Sequence, residues 1–162
     1  MRHGLLFKII FLLIILKLAL LLPTGTYASD GIQWESYQKG VARGKAEKKK
    51  VFLSFYADWC QYCKIMEKET FQNSTVIAYL NRNFIPIKVD SEKEKKTAIE
   101  FNITGLPSTW FLSEKGDRIG NRPGLIPTKE MLSLLKYIQS DSYLKMTFNT
   151  FLEEMSDQSS SP

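Results

Sequence analysis

Cys60 and Cys63 are the only cysteines of the sequence, and two residues separate them in Trp59-Cys60-Gln61-Tyr62-Cys63-Lys64. A helix beginning at this point presents unpaired N–H groups and the positive end of its dipole to Cys60. Both stabilise a thiolate, drawing the Cys60 pKa below the free value of about 8.5. Cys63 lies one helical turn inside and within reach. Attack by Cys60 on a partner's disulfide gives a mixed disulfide, which Cys63 resolves. Taken alone, the pair also fits half a zinc site or a permanent disulfide. Two cysteines cannot close a four-ligand zinc site in a monomer. A disulfide across so short a loop restricts the unfolded chain little.

Other chemistries have little to work with. The sequence has one histidine, His3, close to the start of the chain. Residues 1–28 read as an export segment. Arg2 and His3 precede an apolar run from Leu5 to Leu22, interrupted by Lys8 and Lys17, and Pro23-Thr24-Gly25 ends it. Thr26-Tyr27-Ala28 then offers the small residues of a cleavage site, the mark of a secretory signal peptide. The alternative is an uncleaved anchor, in which Lys17 would cost roughly 3 kcal/mol near the centre of a bilayer. Either reading carries the remaining domain out of the cytoplasm. A cleaved chain has no histidine, which excludes Ser-His-Asp and Cys-His catalysis within the domain.

Charge excludes a further class. The whole chain carries +5, but losing Arg2, Lys8 and Lys17 leaves 19 basic against 17 acidic residues, a net +2. No strong field remains to attract nucleic acid or an anionic membrane. The Lys48-Lys49-Lys50 run reads as a solvated helix end.

The elements that must position the pair follow from periodicity. Residues 32–49 repeat Trp34, Tyr37, Val41 and Ala42 at helical spacing. Val51 to Tyr56 is a short apolar run suited to a buried strand. A helix follows from Cys60 through Glu69, and Asn73-Ser74 can cap another over Thr75 to Arg82. Phe84 to Val89 reads as a strand in which Pro86 withholds one donor. Ser91 can cap a helix over residues 92–101. Ser108–Leu112 and Arg118–Asn121 flank a turn as a hairpin. Thr128 can cap a helix over residues 129–140, with Met131, Leu132, Leu135 and Ile138 inward. Strands alternating with helices, then a hairpin, predict an α/β domain over residues 29–155: a central mixed sheet flanked by helices on both faces. Residues 141–155 carry Tyr143, Met146, Phe148, Phe151 and Leu152, which can cover an edge of this domain or meet a partner; the domain edge is the favoured role. Residues 156–162 read as a disordered tail.

The string Phe55-Tyr56-Ala57-Asp58-Trp59-Cys60-Gln61-Tyr62-Cys63-Lys64 resembles the active-site segment of thioredoxin-fold proteins. It is most similar to the C-terminal periplasmic domain of DsbD-type electron carriers. Glu67-Lys68-x-Thr70-Phe71 and Gly105-Leu106-Pro107 belong to the same resemblance, which covers roughly residues 48–140. The resemblance implies a thioredoxin fold and a thiol–disulfide oxidoreductase with no cofactor or metal beyond the Cys60–Cys63 disulfide. It implies a cis Pro107 beside the pair, with the Leu106 backbone free to meet a substrate segment. Trp59, Gln61 and Tyr62 would shape the docking surface, Trp59 also shielding the disulfide. Glu67, on the cysteine face, would tune the cysteines and move protons, although a solvated helix glutamate looks the same in sequence.

One departure stands out. The family usually carries a buried aspartate six residues before the first cysteine, where this sequence has Ser54. Serine is no carboxylate base, which leaves proton transfer to Glu67, water or Asp58. Gln61-Tyr62 adds no charge, and this favours a reductant or electron relay over an oxidant. The implied setting is the periplasm. Its partners would be disulfide-containing exported proteins, a DsbD-type membrane reductant, and cytochrome c precursors or their maturation factors. The alternatives are a disulfide oxidase or isomerase, and a binding module that holds unfolded chains in the Leu106-Pro107 groove.

Overall fold

The structure is a computed structural model, and it describes residues 31–160. The export segment or anchor expected at residues 1–28 lies outside the described residues, as do residues 161–162. Strand β1 (Lys50–Tyr56) is buried along nearly its whole length and forms the centre of the sheet. It pairs in parallel with β2 (Phe84–Asp90) and antiparallel with β3 (Ser108–Leu112). β4 (Arg118–Pro123) closes the order β2-β1-β3-β4. A parallel pair needs a crossover. Helices α2 (Gln61–Glu69) and α3 (Ser74–Asn83) supply it between β1 and β2.

Side chains alternate along β1, so its two faces feed two cores. Phe52 packs with Met66, Phe71, Val76 and Leu80 beneath α2 and α3. Val51, Leu53 and Phe55 pack on the opposite face with Ile87 and Phe101. The predicted mixed sheet with helices on both faces is therefore what forms.

The first helix is shorter than its periodicity suggested. α1 spans Tyr37–Glu47, and Trp34 precedes it. Glu35 makes an isolated parallel bridge to Ile87, its N–H donating to Pro86 O at 2.9 Å. The chain thus crosses the β2 edge here. Trp34 joins Phe52 and Phe71 on one face of the sheet, while Tyr37 meets Phe101 on the other. Helical spacing of these aromatics was a coincidence of that crossing. Ala42 is exposed, and the buried residues of α1 are Gly40 and Gly44. A Cβ on Gly40 would come within 2.3 Å of the fully buried Ile87 side chain. Gly40→Val is accordingly expected to destabilise the fold by about 1–3 kcal/mol, the usual range for overpacking. A lowered urea midpoint would register it; an unchanged one would mean that α1 is not seated on β2.

Other boundaries shift for local reasons. The three lysines at 48–50 part company: Lys48 takes a left-handed conformation at the α1 C-terminus, and Lys50 is buried. The Lys50 ammonium meets Glu114 at 2.8 Å and Asp141 at 3.0 Å, so it is not a solvated end. α4 is confined to Lys95–Glu100. Asp90, rather than Ser91, accepts the next backbone donors, from Glu92 and Lys93. α5 spans Thr128–Gln139, but Thr128 donates to Glu69 O at the end of α2 instead of capping.

Residues 141–155 pack on this same domain. A 3₁₀ turn (Ser142–Leu144) leads to α6 (Phe148–Ser160), and the Phe148 and Phe151 rings lie 5.3 Å from Tyr137. α6 continues through residues 156–160, which the sequence reading assigned to a disordered tail. Helix hydrogen bonds are local and need no apolar side chains to continue. Ser156 Oγ adds a bond back to Glu153 O at 2.7 Å.

Candidate active site

β1 ends at Tyr56, and the turn after it delivers Cys60 to the start of α2. Cys60 has extended backbone angles and occupies the N-cap position. Its Sγ accepts the Cys63 N–H at 3.1 Å, the place a serine or aspartate oxygen usually fills. The two cysteines form a disulfide with Cα atoms 5.2 Å apart. Both are buried, Cys60 at 4% and Cys63 at 9% exposure. Exposure therefore does not distinguish them. Position does: a thiolate at Cys60 receives the first-turn N–H groups, and one at Cys63 does not.

The surroundings divide into an outer rim and an inner cavity. On the rim, Trp59 and Tyr62 are 66% and 61% exposed, and Gln61 is exposed between the cysteines. Trp59 Nε1 donates to Glu92 Oε1 at 2.9 Å, which ties the indole to the turn before α4. Its ring is largely displayed to solvent. Leu106 packs against Cys60, Cys63 and Ala57. The Leu106–Pro107 peptide is cis. Pro107 O accepts from Gly124, while the Leu106 N–H and C=O join none of the backbone hydrogen bonds among the described residues.

The inner cavity has a volume of about 170 Å³ and is bordered by Cys63, Ser54, Tyr56, Met66, Glu67 and Lys88 among others. Cys60 does not border it. Glu67 thus shares this cavity with the resolving cysteine and not with the attacking one. Ser54, 2% exposed, lies in register between Lys88 on β2 and Thr109 on β3. Lys88 Nζ stands 2.6 Å from Glu67 Oε2 and lies over the rings of Tyr56 and Trp34. Sequence reasoning passed over Lys88. The available signal was a lysine at an inward position of an otherwise apolar strand, Phe84-Ile85-Pro86-Ile87-Lys88-Val89. Asp58 is exposed, its carboxylate 3.7 Å from Lys93, and this suits a loop acid.

A family model, the thioredoxin-like domain, matches residues 37–139. This chain belongs to that family. The match runs from α1 to the end of α5, so the α6 helix lies beyond it. This thioredoxin-like chain is 36% identical over 91 residues to the thiol:disulfide interchange protein DsbD of Vibrio vulnificus strain CMCP6. That alignment covers 54% of this chain and only 15% of the relative. The disulfide bond reductase DsbH of Chlamydia pneumoniae is 26% identical over 116 residues, covering 62% of this chain and 70% of the relative. Among solved structures, a thioredoxin from Thermus thermophilus superposes with TM-score 0.62 at 23% identity, over 67% of this chain and 87% of that one. A thioredoxin-fold protein from Helicobacter pylori gives TM-score 0.63 at 14% identity, over 82% and 96%. These superpositions speak for the thioredoxin fold.

Proposed function

We propose that this protein is an exported thiol–disulfide oxidoreductase working in the periplasm as a disulfide reductase or electron relay. The observation that carries this reading is the Cys60 Sγ at the N-cap of α2, joined to Cys63 and rimmed by exposed, uncharged Gln61 and Tyr62. In the reduced protein, the Cys60 thiolate attacks one sulfur of a client disulfide, and the other client sulfur departs as a thiolate. Cys63 then attacks Cys60 Sγ. The Cys60–client bond breaks, and two electrons have passed to the client. An extended client segment can pair with the free Leu106 N–H and C=O beside the sulfurs, with Trp59 and Tyr62 supplying apolar contact.

The reducing direction rests on electrostatics. An oxidant needs a strongly stabilised reduced form. The helix N-terminus offers moderate help; of the two lysines bordering the cavity, Lys88 is neutralised by Glu67, and Lys64 is exposed, where solvent screens its charge. The name of one relative, a disulfide bond reductase, agrees with that direction. Recharging by a DsbD-type membrane reductant fits the periplasm, which holds no thiol buffer of its own. Misoxidised exported proteins and cytochrome c precursors or their maturation factors are suitable clients.

Cys63→Ser tests the scheme. Without the resolving thiol, client proteins should accumulate on Cys60 as mixed disulfides that dithiothreitol releases. Incubation with periplasmic extract and non-reducing electrophoresis would display them. If no Cys60-linked adducts form, the disulfide is a structural one.

A further inference from the structure

Bases and acids nearly balance along the whole chain, but the end of the sheet away from the cysteines carries an excess of one sign. β1 starts at that end with Lys50, about 20 Å from its other end at the site. Lys50 creates the excess. Its side chain is 7% exposed, and its ammonium draws in Glu114 from the β3–β4 turn and Asp141 from the turn after α5. Glu47, at the end of α1, is held by Arg43 and Lys49. Asp117 accepts the Ser113 hydroxyl at 3.3 Å. α6 turns back from this end alongside α5 and carries its own acids, Glu153, Glu154 and Asp157, away from it.

With those carboxylates engaged, the surface of this end is left to lysines. Lys45 and Lys48 come from the end of α1, Lys115 from the β3–β4 turn, and Lys145 from the residue after the 3₁₀ turn; all are exposed. They form no ion pair among the described residues. Lys45 lies along the turn that carries Lys115: a Cβ on Gly116 would come within 3.0 Å of its Cε. Beside Lys145, the Leu144 side chain is 72% exposed. The chain also enters the domain here. The Gly31 carbonyl accepts from Asn81 Nδ2 at 3.0 Å, in the last turn of α3 just ahead of β2.

We propose that this end of the domain docks on a bilayer containing anionic phospholipid. Lys45, Lys48, Lys115 and Lys145 meet the headgroup phosphates, and Leu144 enters the boundary between headgroups and acyl chains. The inference is independent of the redox chemistry at Cys60–Cys63. Lysine is a flexible point charge, suited to many mobile phosphates rather than to one fixed anion. The four lysines come from separate segments and form a broad charged surface instead of a pocket. Leu144 decides between a bilayer and another polyanion. An aliphatic side chain gains by leaving water for lipid, whereas a nucleic acid rewards aromatic rings on which bases stack. The entry of the chain at Gly31 agrees: the export segment or anchor expected at residues 1–28 would join the domain on its membrane side. Docked in this way, the domain turns its cysteines away from the bilayer, towards clients in solution.

The test follows Leu144 itself on the full chain. The Leu144→Trp variant is titrated with vesicles whose acyl chains carry bromine, which quenches indole fluorescence. The unaltered chain, titrated alongside, supplies the background from Trp34, Trp59 and Trp110. Added quenching should appear with phosphatidylglycerol mixed into phosphatidylcholine and be absent with phosphatidylcholine alone. It should vanish in about 1 M salt, where the screening length falls to about 3 Å. Adding Lys45→Gln and Lys115→Gln should shift the equilibrium about 25-fold towards the unquenched state, near fivefold per lysine. Insulin reduction by that variant should stay at the wild-type rate, since neither lysine borders the cysteines. Quenching of equal strength with both lipids, or with neither, would overturn the proposal. Binding of duplex DNA without quenching by any vesicle would make the face a general polyanion site, and overturn it as well.

Discussion

Cys60→Ser is expected to bring the reduction of insulin by dithiothreitol down to the uncatalysed rate. Every covalent step passes through Cys60 Sγ: it receives the client sulfur, and it is the atom that Cys63 later attacks. A hydroxyl at the same N-cap would accept the same backbone N–H, so helix α2 should survive the change. It is too weakly acidic to form an anion at neutral pH and cannot form a disulfide. Loss of activity with a retained fold is therefore the expected combination, checked by precipitation of the insulin chains and by circular dichroism. Residual turnover near the wild-type rate would mean that the N-cap sulfur is not the nucleophile. The companion Cys63→Ser should separate from it sharply, since that variant still attacks once and then stalls.

Phe52→Ala should have the largest effect on stability, a loss of about 3–5 kcal/mol. Phe52 is fully buried on the central strand, and its ring contacts run to Trp34, Phe71 and Phe111 at 6.2, 6.0 and 5.6 Å. The cavity left by its removal would open under Met66, in the same cluster. Met66 lies on α2 three residues beyond Cys63. The damage should thus reach the site as well as the global stability. Urea unfolding measures the first, and the rate of insulin reduction below the unfolding transition measures the second. A loss below about 1 kcal/mol would contradict the packing described for this face.

Much of this was legible in the sequence because it is local. The apolar run of β1, the N-cap position of Cys60 and the hairpin after Leu112 depend on residues close together in the chain. What was missed depends on contacts made across the sheet. Trp34 looked like a helix residue because its spacing to Tyr37 and Val41 is helical, and only the bridge of Glu35 to Ile87 sends it to the opposite face. Lys50 looked solvated until Glu114 and Asp141 arrived from later elements. Glu67 was singled out by its place on the cysteine face of α2, but its partner Lys88 lies on a different strand. Periodicity finds the face of a helix; it does not find what the sheet puts opposite that face.

The midpoint potential of the Cys60–Cys63 couple tests the central claim most directly. Equilibration with dithiothreitol mixtures of known ratio, followed by alkylation and mass spectrometry, gives the value. A helix N-terminus with no buried, unpaired cation beside it stabilises the thiolate moderately, so the couple should be reducing, nearer to thioredoxin at about −270 mV than to DsbA at about −120 mV. A value above roughly −160 mV would place the protein among oxidants and contradict the reductant reading.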